Sequence, residues 1–466
     1  MARGGWSGGL LTGVVVVMHA VVWFWRSRVV TEPYMDEVFH IPQTQEYCQG
    51  RFDQWDDKIT TFPGLYLVMA VPSLVVRWAS TVFPSSSPVH ASLGFLLCSV
   101  KGLRLCNGLV FGGLSALLSF EILGEVHPGI SSEDAFLNAL AINLFPVYFF
   151  SADLYYTDAG SLALVLLALL LALRRRHRAS GVAAVGAVLF RQTNVVWAAF
   201  VLAYDLHSQV NPKGRSGGLL GLPRDLGRVL RGAWVHRARL ARNNWITVAL
   251  MAAFAAFVAK NGGVVVGDRD AHKPKLHLAQ FLYCCTAVAG AHFLVHFDPR
   301  SPFVRALSGA SKARVLLIAA PLLAAFCLVI RRYTLVHPYT LADNRHYTFY
   351  VWKNYLGRSE VHRVALAPLH LFSAGSLVHR LARTQPPLVV LAAFACAAAT
   401  TALAELLEFR YYITFYAIHS LLSEPMSRTK AAGTCAAFLA ANVALEAVFL
   451  FRPFTWPDGS VARFMW

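Results

Sequence analysis

The chain has 466 residues, of which 56% are hydrophobic and only 14% are charged, and its mean hydropathy is +0.49. A soluble domain carries about 25% charged residues, so this composition excludes a soluble globular enzyme, a disordered tail and a disulfide-stapled secreted module. The 42 Lys and Arg residues outnumber the 25 Asp and Glu residues, which leaves a net charge of +17. In a chain this apolar, we interpret that surplus as a sign of membrane topology rather than of nucleic-acid binding.

The apolar stretches predict an all-α polytopic membrane protein. The first stretch ends in Val22-Trp23-Phe24-Trp25 rather than in a small-residue cleavage site, so we expect an uncleaved first span. A helix needs about 20 mostly apolar residues to cross a bilayer, which predicts about a dozen crossings. The candidate spans in chain order are 9–25, 62–83, 91–123, 135–150, 158–173, 181–206, 244–260, 276–297, 313–330, 361–383, 387–408, 409–424 and 431–451.

The connecting segments differ in charge. The arginine cluster at 174–178 and the long basic segment 207–243 are expected to be cytoplasmic, because basic connectors favour that side, although a binding role for them stays open. Residues 31–61 hold seven acids, and residues 331–358 are polar and aromatic, so we place both on the opposite side. Segments on opposite sides of a membrane must be separated by an odd number of spans, but four clear spans separate 31–61 from 174–178. The topology of residues 84–134 therefore stays open.

The cysteines predict neither a disulfide framework nor a metal site. Seven of the eight lie in or beside apolar segments, where they are expected to pack as small hydrophobic side chains, and only Cys48 lies in a polar segment. The spacing of the remaining candidate metal ligands matches no recognised motif; these are Asp268, Asp270, His272 and His277.

An adjacent pair of carboxylates, Asp36 and Glu37, directly follows the first span. Two neighbouring acids can supply a general base, because like charges raise the pKa of one of them. A solvated acidic loop is the alternative. The segment 55–64, which follows within thirty residues and combines Trp, Asp, Pro and Gly, favours a site.

Two further groups can carry chemistry. Arg191 lies in an apolar region, where an ionisable residue suggests function, and pairing with a structural carboxylate at Asp153 or Asp158 is the alternative. The run Asp343-Asn344-Arg345-His346-Tyr347 suits a phosphate or an array of sugar hydroxyls. An interfacial aromatic belt is the alternative for that run, because Phe349, Tyr350 and Trp352 follow.

The chain resembles the dolichyl-phosphate-glucose alpha-1,2-glucosyltransferases, which add the last glucose to the lipid-linked N-glycan precursor. The blocks that carry the resemblance run from the first connecting segment to the last residue. They are YMDEVFHIPQ at 34–43, ITTFPGLY at 59–66, LYYTDAGS at 154–161, FRQTN at 190–194, GD at 267–268 with LH at 276–277, LADNRHYTFYVW at 341–352 and RFMW at 463–466. Near 408–416 the family usually has a proline that Thr414-Phe415 replaces here.

The resemblance implies a single GT-C-type domain over residues 1–466 with about 12–14 transmembrane helices, lying in the endoplasmic reticulum membrane with a lumenal active site. Its donor is dolichyl phosphate glucose, its acceptor is the dolichyl-diphosphate-linked diglucosylated oligosaccharide, and the transfer inverts the anomeric carbon without a cofactor or metal. The implied roles are catalysis by Asp36 or Glu37, binding of the donor phosphate by Arg191, Arg345 and His346, and binding of substrate by Tyr34, His40, Trp55, Asp158, Asp343, Asn344, Tyr347 and Trp352.

A transporter or flippase of lipid-linked sugars is the alternative from a different functional class. About a dozen spans with buried Arg and Asp residues suit such a protein. The absence of internal repeats and the concentration of polar residues in two connecting segments argue against it.

Overall fold

Helices account for almost all of the regular structure. The computed structural model describes residues 5–82, 96–211, 221–269 and 274–466. Within these ranges two short strands, β1 (Phe454–Thr455) and β2 (Val461–Ala462), pair antiparallel. The predicted all-α class is confirmed.

The helices of the first part of the chain are α1 (Gly5–Val29), α2 (Glu37–Cys48), α3 (Gly64–Val82), α4 (Val100–Cys106), α5 (Gly113–Val126), α6 (Ser132–Asn143), α7 (Pro146–Ala152), α8 (Thr157–Leu173), α9 (His177–Phe190), α10 (Asn194–Val210), α11 (Leu222–Val235) and α12 (Arg237–Asn261). A π-helical turn at Asn107–Gly112 joins α4 to α5.

The helices that follow are α13 (Leu278–Ala291), α14 (Phe293–His296), α15 (Pro302–Gly309), α16 (Lys312–Tyr333), α17 (Pro338–Ala342), α18 (Tyr347–Val351), α19 (Glu360–Val364), α20 (Ala367–Ala382), α21 (Pro387–Thr401), α22 (Ile413–Leu422) and α23 (Arg428–Phe451). A π-helical turn at Trp352–Leu356 and a 3-10 turn at Phe409–Tyr412 complete the regular structure.

Several of these helices are built to cross a membrane. In the described ranges five helices are long and apolar enough to do so alone, and the bent pair α6 and α7 can supply a sixth. The five are α1, α4 to α5 counted together with the π-helical turn, α12, α16 and α23. Five shorter apolar helices add to them, so the protein is a multi-pass membrane protein, while the expected total of 12–14 helices stays a prediction.

The chain forms two compact units. The first comprises residues 1–122, 148–199 and 244–273, and the second comprises 123–147, 200–243 and 274–466. The first unit therefore carries Asp36, Glu37 and Arg191, and the second carries the run 343–347.

The core of the first unit is built around α8. This helix has an almost uninterrupted apolar sequence and is buried along most of its length. It begins after the extended residue Tyr156 and ends before Arg174, and the chain then turns back through Arg175, whose φ of 60° lies in the left-handed region. The next helix, α9, packs against α8 so closely that a Cβ on Gly160 would lie 2.2 Å from the ring of Phe190.

One disulfide corrects the interpretation of the cysteines. Cys48 and Cys98 are joined, with their Cα atoms 6.6 Å apart. The sequence treated Cys98 as a packed hydrophobic residue, because its partner lies 50 positions away and the intervening spacing carries no signal. The bond ties the end of α2 to the segment that precedes α4.

The predicted span 62–83 corresponds to α3, which lies along α2. The hydroxyl of Tyr66 is 2.6 Å from Nδ1 of His40 near the start of both helices. Farther along, Arg77 donates to the main-chain oxygen of Cys48 at 2.8 Å. The two helices therefore run side by side in the same direction, and the segment 49–63 returns between them.

Candidate active site

Glu37 begins α2 and is completely buried. Its carboxylate accepts hydrogen bonds from Nε of Arg104 at 2.9 Å and from the main-chain N–H groups of Tyr34 at 3.0 Å and Tyr155 at 2.7 Å. The second guanidinium nitrogen of Arg104 donates to the same carboxylate, and this arginine is only 1% exposed. Protein donors thus surround the Glu37 carboxylate, which connects three separate segments of the first unit.

Asp36 has a different environment although it is the neighbour of Glu37. It occupies the N-cap position of α2 without using its side chain to cap the helix, and it is only partly buried. The preceding residue, Met35, has a φ of 56°, in the left-handed region that favours glycine. Strained backbone of this kind is concentrated at functional sites. The turn at Met35 lets Glu37 enter the core while Asp36 keeps partial exposure.

One face of α2 continues from Asp36. His40 and Gln43 follow it at the i+4 and i+7 positions, so the three residues share a face of the helix. The ring of His40 contacts the ring of Tyr156, and its Nδ1 is hydrogen-bonded to Tyr66. This face therefore presents a carboxylate, an imidazole and an amide in succession.

Gln43 organises a cavity at the far end of that face. Its side-chain amide donates to the main-chain oxygen of Gln54 at 2.8 Å and accepts from the N–H of Asp56 at 2.9 Å. The ring of Trp55, between these two residues, packs edge-on to Tyr66. The cavity measures about 390 Å³ and is lined by Pro42, Gln43, Glu46, Arg51, Gln54, Trp55 and Asp56.

Arg191 pairs with Asp158. The guanidinium donates directly to the Asp158 carboxylate, and the arginine side chain is 19% exposed while the aspartate is 2% exposed. Asp153, the other candidate partner, is bound to Nδ1 of His19 at 2.9 Å. Arg191 lies in the short break between α9 and α10, as expected for a polar motif within an apolar region.

The rest of the motif around Arg191 fastens this break to its surroundings. Gln192 donates to the main-chain oxygen of Thr60 at 2.6 Å. Asn194 donates to the hydroxyl of Ser161 at 2.7 Å and to the main-chain oxygen of Ala187 at 2.7 Å. The blocks at 59–66, 154–161 and 190–194 are therefore in direct contact.

A glycine turn joins the same group of segments. A Cβ on Gly267 would lie 2.2 Å from the main-chain oxygen of Asp57 and 2.6 Å from that of Ile59, so only glycine fits there. The N–H of Asp268 donates to the Asp57 oxygen at 2.9 Å, and the N–H of Val266 donates to the Thr60 oxygen at 3.1 Å. The GD block thus fixes the segment that runs from the cavity to α3.

In the second unit the run 343–347 pairs with the C-terminal residues. Arg345 binds both carboxylate oxygens of Asp343 at 2.8 Å, and its guanidinium lies 4.5 Å from the ring of Trp456. Burial tends to raise the pKa of Asp343, but the hydrogen bond from Arg345 and the nearby charge of His346 outweigh it and lower that pKa. Nδ1 of His346 donates to the main-chain oxygen of Trp466 at 2.7 Å.

The remaining predicted residues of this run also make contacts within the second unit. Asn344 accepts from the indole of Trp456 at 2.9 Å, and the ring of Tyr347 packs edge-on to Trp466. Trp352 packs against a buried apolar cluster that contains Tyr283, and its contact with substrate stays a prediction. The blocks 341–352 and 463–466 therefore form one assembly, in which Arg345 is oriented by its neighbours.

Arg104, which pairs with Glu37, is the residue of this candidate site that the sequence did not single out. A charged residue within the apolar stretch 91–123 was the available signal, because charge at membrane depth is rarely accidental. Its carboxylate partner lies 67 positions away, and no spacing rule connects the two. Trp456 was likewise missed.

Metal ligation finds no support among the residues that the structure describes, which contain no group of three or more His, Cys, Asp and Glu side chains able to hold an ion. Asp270 and His272, two of the sequence candidates, lie outside the described residues.

Comparison with known proteins gives a consistent result. The family model described as the DIE2/ALG10 family matches residues 30–421. The Dol-P-Glc:Glc(2)Man(9)GlcNAc(2)-PP-Dol alpha-1,2-glucosyltransferase of Mus musculus is 37% identical over 94% of each chain, and a Homo sapiens protein of that name is 34% identical over 94% of each chain. The Arabidopsis thaliana protein of the same name is 32% identical over 97% of each chain. No solved structure matches. The resemblance inferred from the sequence blocks is thereby confirmed, and the chain belongs to the DIE2/ALG10 family.

Proposed function

We propose that this protein transfers glucose from dolichyl phosphate glucose to the diglucosylated dolichol-linked oligosaccharide and so forms its terminal alpha-1,2-linked glucose. The observation that carries the proposal is the identity of 32–37% over nearly the whole chain with proteins named for that reaction. The packing of four sequence blocks into one region of the first unit supports it. The blocks 59–66 and 154–161 contact α2, and the blocks 190–194 and 267–268 contact the segment 57–60 that leads into α3.

Asp36 is the general base in this proposal. A base must reach the proton that it removes, and Asp36 is the partly exposed member of the carboxylate pair. Glu37 is occupied by Arg104 and two main-chain N–H groups. We therefore assign Glu37 to positioning, since it holds the start of α2 and the strained turn at Met35.

The reaction proceeds in one displacement. Asp36 accepts the proton of the acceptor 2-hydroxyl while the oxygen of that hydroxyl attacks the anomeric carbon of the donor glucose. The bond from that carbon to the phosphate oxygen breaks, and the electron pair leaves with dolichyl phosphate. Attack from the face opposite the leaving group converts a beta-linked donor into an alpha-linked product.

The leaving phosphate needs donors that are already oriented. Arg191 suits this role because Asp158 holds its guanidinium in place while part of the side chain stays exposed, and a guanidinium has further donors available. Arg345 and His346 have the same character in the second unit, where Asp343 and Trp466 orient them. Arg191 is our proposed ligand of the donor phosphate in the first unit, and the same role for Arg345 and His346 stays a prediction from the sequence.

The cavity beside Trp55 is the proposed site for the acceptor sugars. Its polar lining offers amide, carboxylate and guanidinium groups, which can pair with neighbouring sugar hydroxyls. Asp36 and Gln43 are seven residues apart, or about 10 Å along a helix. The α2 face therefore leads from the base to the cavity, and His40 lies between them.

A lumenal position of this site in the endoplasmic reticulum has two supports. The Cys48–Cys98 disulfide is expected in an oxidising compartment. It also puts residues 48 and 98 on one side of the membrane, and α3 runs beside α2 rather than away from it. In this proposal the chain crosses the membrane three times between residues 98 and 174, by α4 to α5, by α6 and α7, and by α8, so the arginine cluster lies on the opposite, cytoplasmic side.

The deciding experiment supplies the purified protein with dolichyl phosphate glucose and with lipid-linked acceptors that carry zero, one or two glucoses. We expect a product only from the acceptor with two glucoses, in which the new bond is alpha-1,2. Transfer to another acceptor would assign the protein to an earlier glucosylation step. Movement of lipid-linked sugar across proteoliposomes without transfer would replace the enzyme by the transporter alternative.

A further inference from the structure

The basic segment that the reaction does not use contains the helix α11, which is fastened to the second unit along one face. Asp225 is 5% exposed and accepts hydrogen bonds from Nε2 of His207 at 2.9 Å and from Nδ2 of Asn211 at 3.1 Å. Two turns later, a Cβ on Gly232 would lie 2.7 Å from the side chain of Val210. The rotation of α11 about its axis is therefore fixed.

This fixed rotation leaves an apolar stripe exposed. Leu226, Leu230 and Trp234 are spaced i, i+4 and i+8 and are 44%, 61% and 71% exposed. Large apolar side chains that line up on one helix face and remain exposed indicate a surface that contacts another molecule or a membrane.

The third face of the helix is basic. Arg224, Arg228 and Arg231 recur at i, i+4 and i+7 and are all exposed. Asp225 is the sole acid of the helix, and it faces the protein. The exposed surface of α11 thus combines an apolar stripe with a positive face, the pattern of a helix that lies in a membrane interface.

The position of α11 in the chain places it at the membrane. After His236 the chain continues directly into α12, one of the membrane-spanning helices. Arg237, Arg239 and Arg242 lie in the first turns of α12, and its apolar run starts near Trp245. About 20 residues cover the hydrocarbon core, so the arginines of α12 lie at the headgroup level. The C-terminal end of α11 directly precedes these arginines and therefore lies at the same level.

We propose that α11 is an interfacial helix that binds an anionic phospholipid surface. Leu226, Leu230 and Trp234 enter the boundary of the acyl chains, and the three arginines bind lipid phosphates. The charge complementarity selects anionic lipids rather than zwitterionic ones, because juxtamembrane arginines are attracted to negative headgroups. This proposal is independent of the glucosyltransferase chemistry.

Hydrogen–deuterium exchange of the full-length protein in nanodiscs tests the proposal. The amides of 222–235 are compared in discs of phosphatidylcholine alone and in discs that also contain phosphatidylserine. We expect slower exchange of this segment in the anionic discs. In the variant R224Q/R228Q/R231Q, residues 222–235 should exchange at the same rate in both kinds of disc. Each arginine removed should lower the preference of the helix for anionic lipid by roughly fivefold. L230D/W234D should exchange faster in both lipids.

The control variant R175Q/R176Q/R178Q removes three exposed arginines from the other basic connector, and it should keep the lipid dependence of 222–235. Equal exchange of α11 in both kinds of disc would overturn the proposal. If the control variant lost the lipid dependence to the same extent, the proposal would also be overturned, because the dependence would then reflect the total charge of the protein. Fast exchange in every lipid would assign the apolar stripe to a protein partner.

Discussion

At the scale of single residues, the contrast between Asp36 and Glu37 depends on one backbone turn. The sequence presents the two acids as equals, and it could not separate them because Arg104 is distant along the chain. The left-handed Met35 and the buried Arg104 distinguish them in the structure. The sequence alone predicts that the carboxylate pair belongs to a site. Which of the two acids acts as the base depends on the contact between Glu37 and Arg104, which are 67 positions apart.

Asp36→Asn and Glu37→Gln should therefore fail in different ways. Asp36→Asn removes the proposed base and keeps the size and shape of the side chain, so we expect turnover to fall at least about a hundredfold with a nearly unchanged melting temperature. Glu37→Gln leaves the buried Arg104 without its ion-pair partner, which should cost about 3–5 kcal/mol of folding stability. Thermal unfolding and single-turnover transfer, measured on the same detergent-purified samples, separate the two effects.

A stable but inactive Glu37→Gln variant combined with an active Asp36→Asn variant would reverse the assignment. Glu32→Gln, which changes an exposed acid of the same segment, is the matched control and should keep both stability and turnover.

The ion pair of Arg191 and Asp158 serves structure and the proposed phosphate site together. Arg191→Gln leaves a buried carboxylate without this partner, so it should lower stability and raise the KM for the donor. The double variant D158N/R191Q removes both charges, and we expect it to regain stability but not donor binding. Recovery of a normal donor KM in the double variant would show that the pair is structural only.

At the scale of elements, the site of the first unit is assembled from turns rather than from helix faces alone. The break between α9 and α10 was predictable, since a polar motif interrupts an apolar region. Its partners were not, because Gln192 reaches Thr60 and Asn194 reaches Ser161 through contacts with no fixed spacing. The sequence blocks named the segments that come together in the structure, but they did not indicate which segment contacts which.

Gly267→Ala tests whether these turns shape the site. Because the new Cβ would meet two main-chain oxygens below 3 Å, the segment 57–60 must shift, and the cavity beside Trp55 should change with it. We expect a raised KM for the acceptor and a nearly unchanged KM for the donor, measured by steady-state kinetics. Gly263→Ala is the matched control, because its Cβ has open space; equal effects of both variants would contradict the prediction.

At the scale of the whole molecule, the composition was sufficient to predict the fold class. The charge of the connecting segments was sufficient to predict a provisional topology. Hydropathy alone counted α3 as a crossing, since its apolar sequence does not reveal that it lies beside α2. We propose that α3 stays on the side of the membrane where Cys48 lies, because the disulfide joins Cys48 to Cys98 and Arg77 donates to the main-chain oxygen of Cys48. On that proposal an odd number of spans separates 31–61 from residue 174, which is the condition for the two segments to lie on opposite sides of the membrane.

This topology predicts which positions react from each side of the membrane. With the six cysteines outside the disulfide replaced by alanine, single cysteines are introduced at the exposed positions Asp53, Arg176, Arg239 and Arg358. In sealed microsomes an impermeant maleimide should label R176C and R239C at once, and D53C and R358C only after detergent opens the vesicles. Immediate labelling of D53C would place the acidic segment with the arginine clusters, and Asp36 would then lie on the side opposite to the one that the proposed reaction requires.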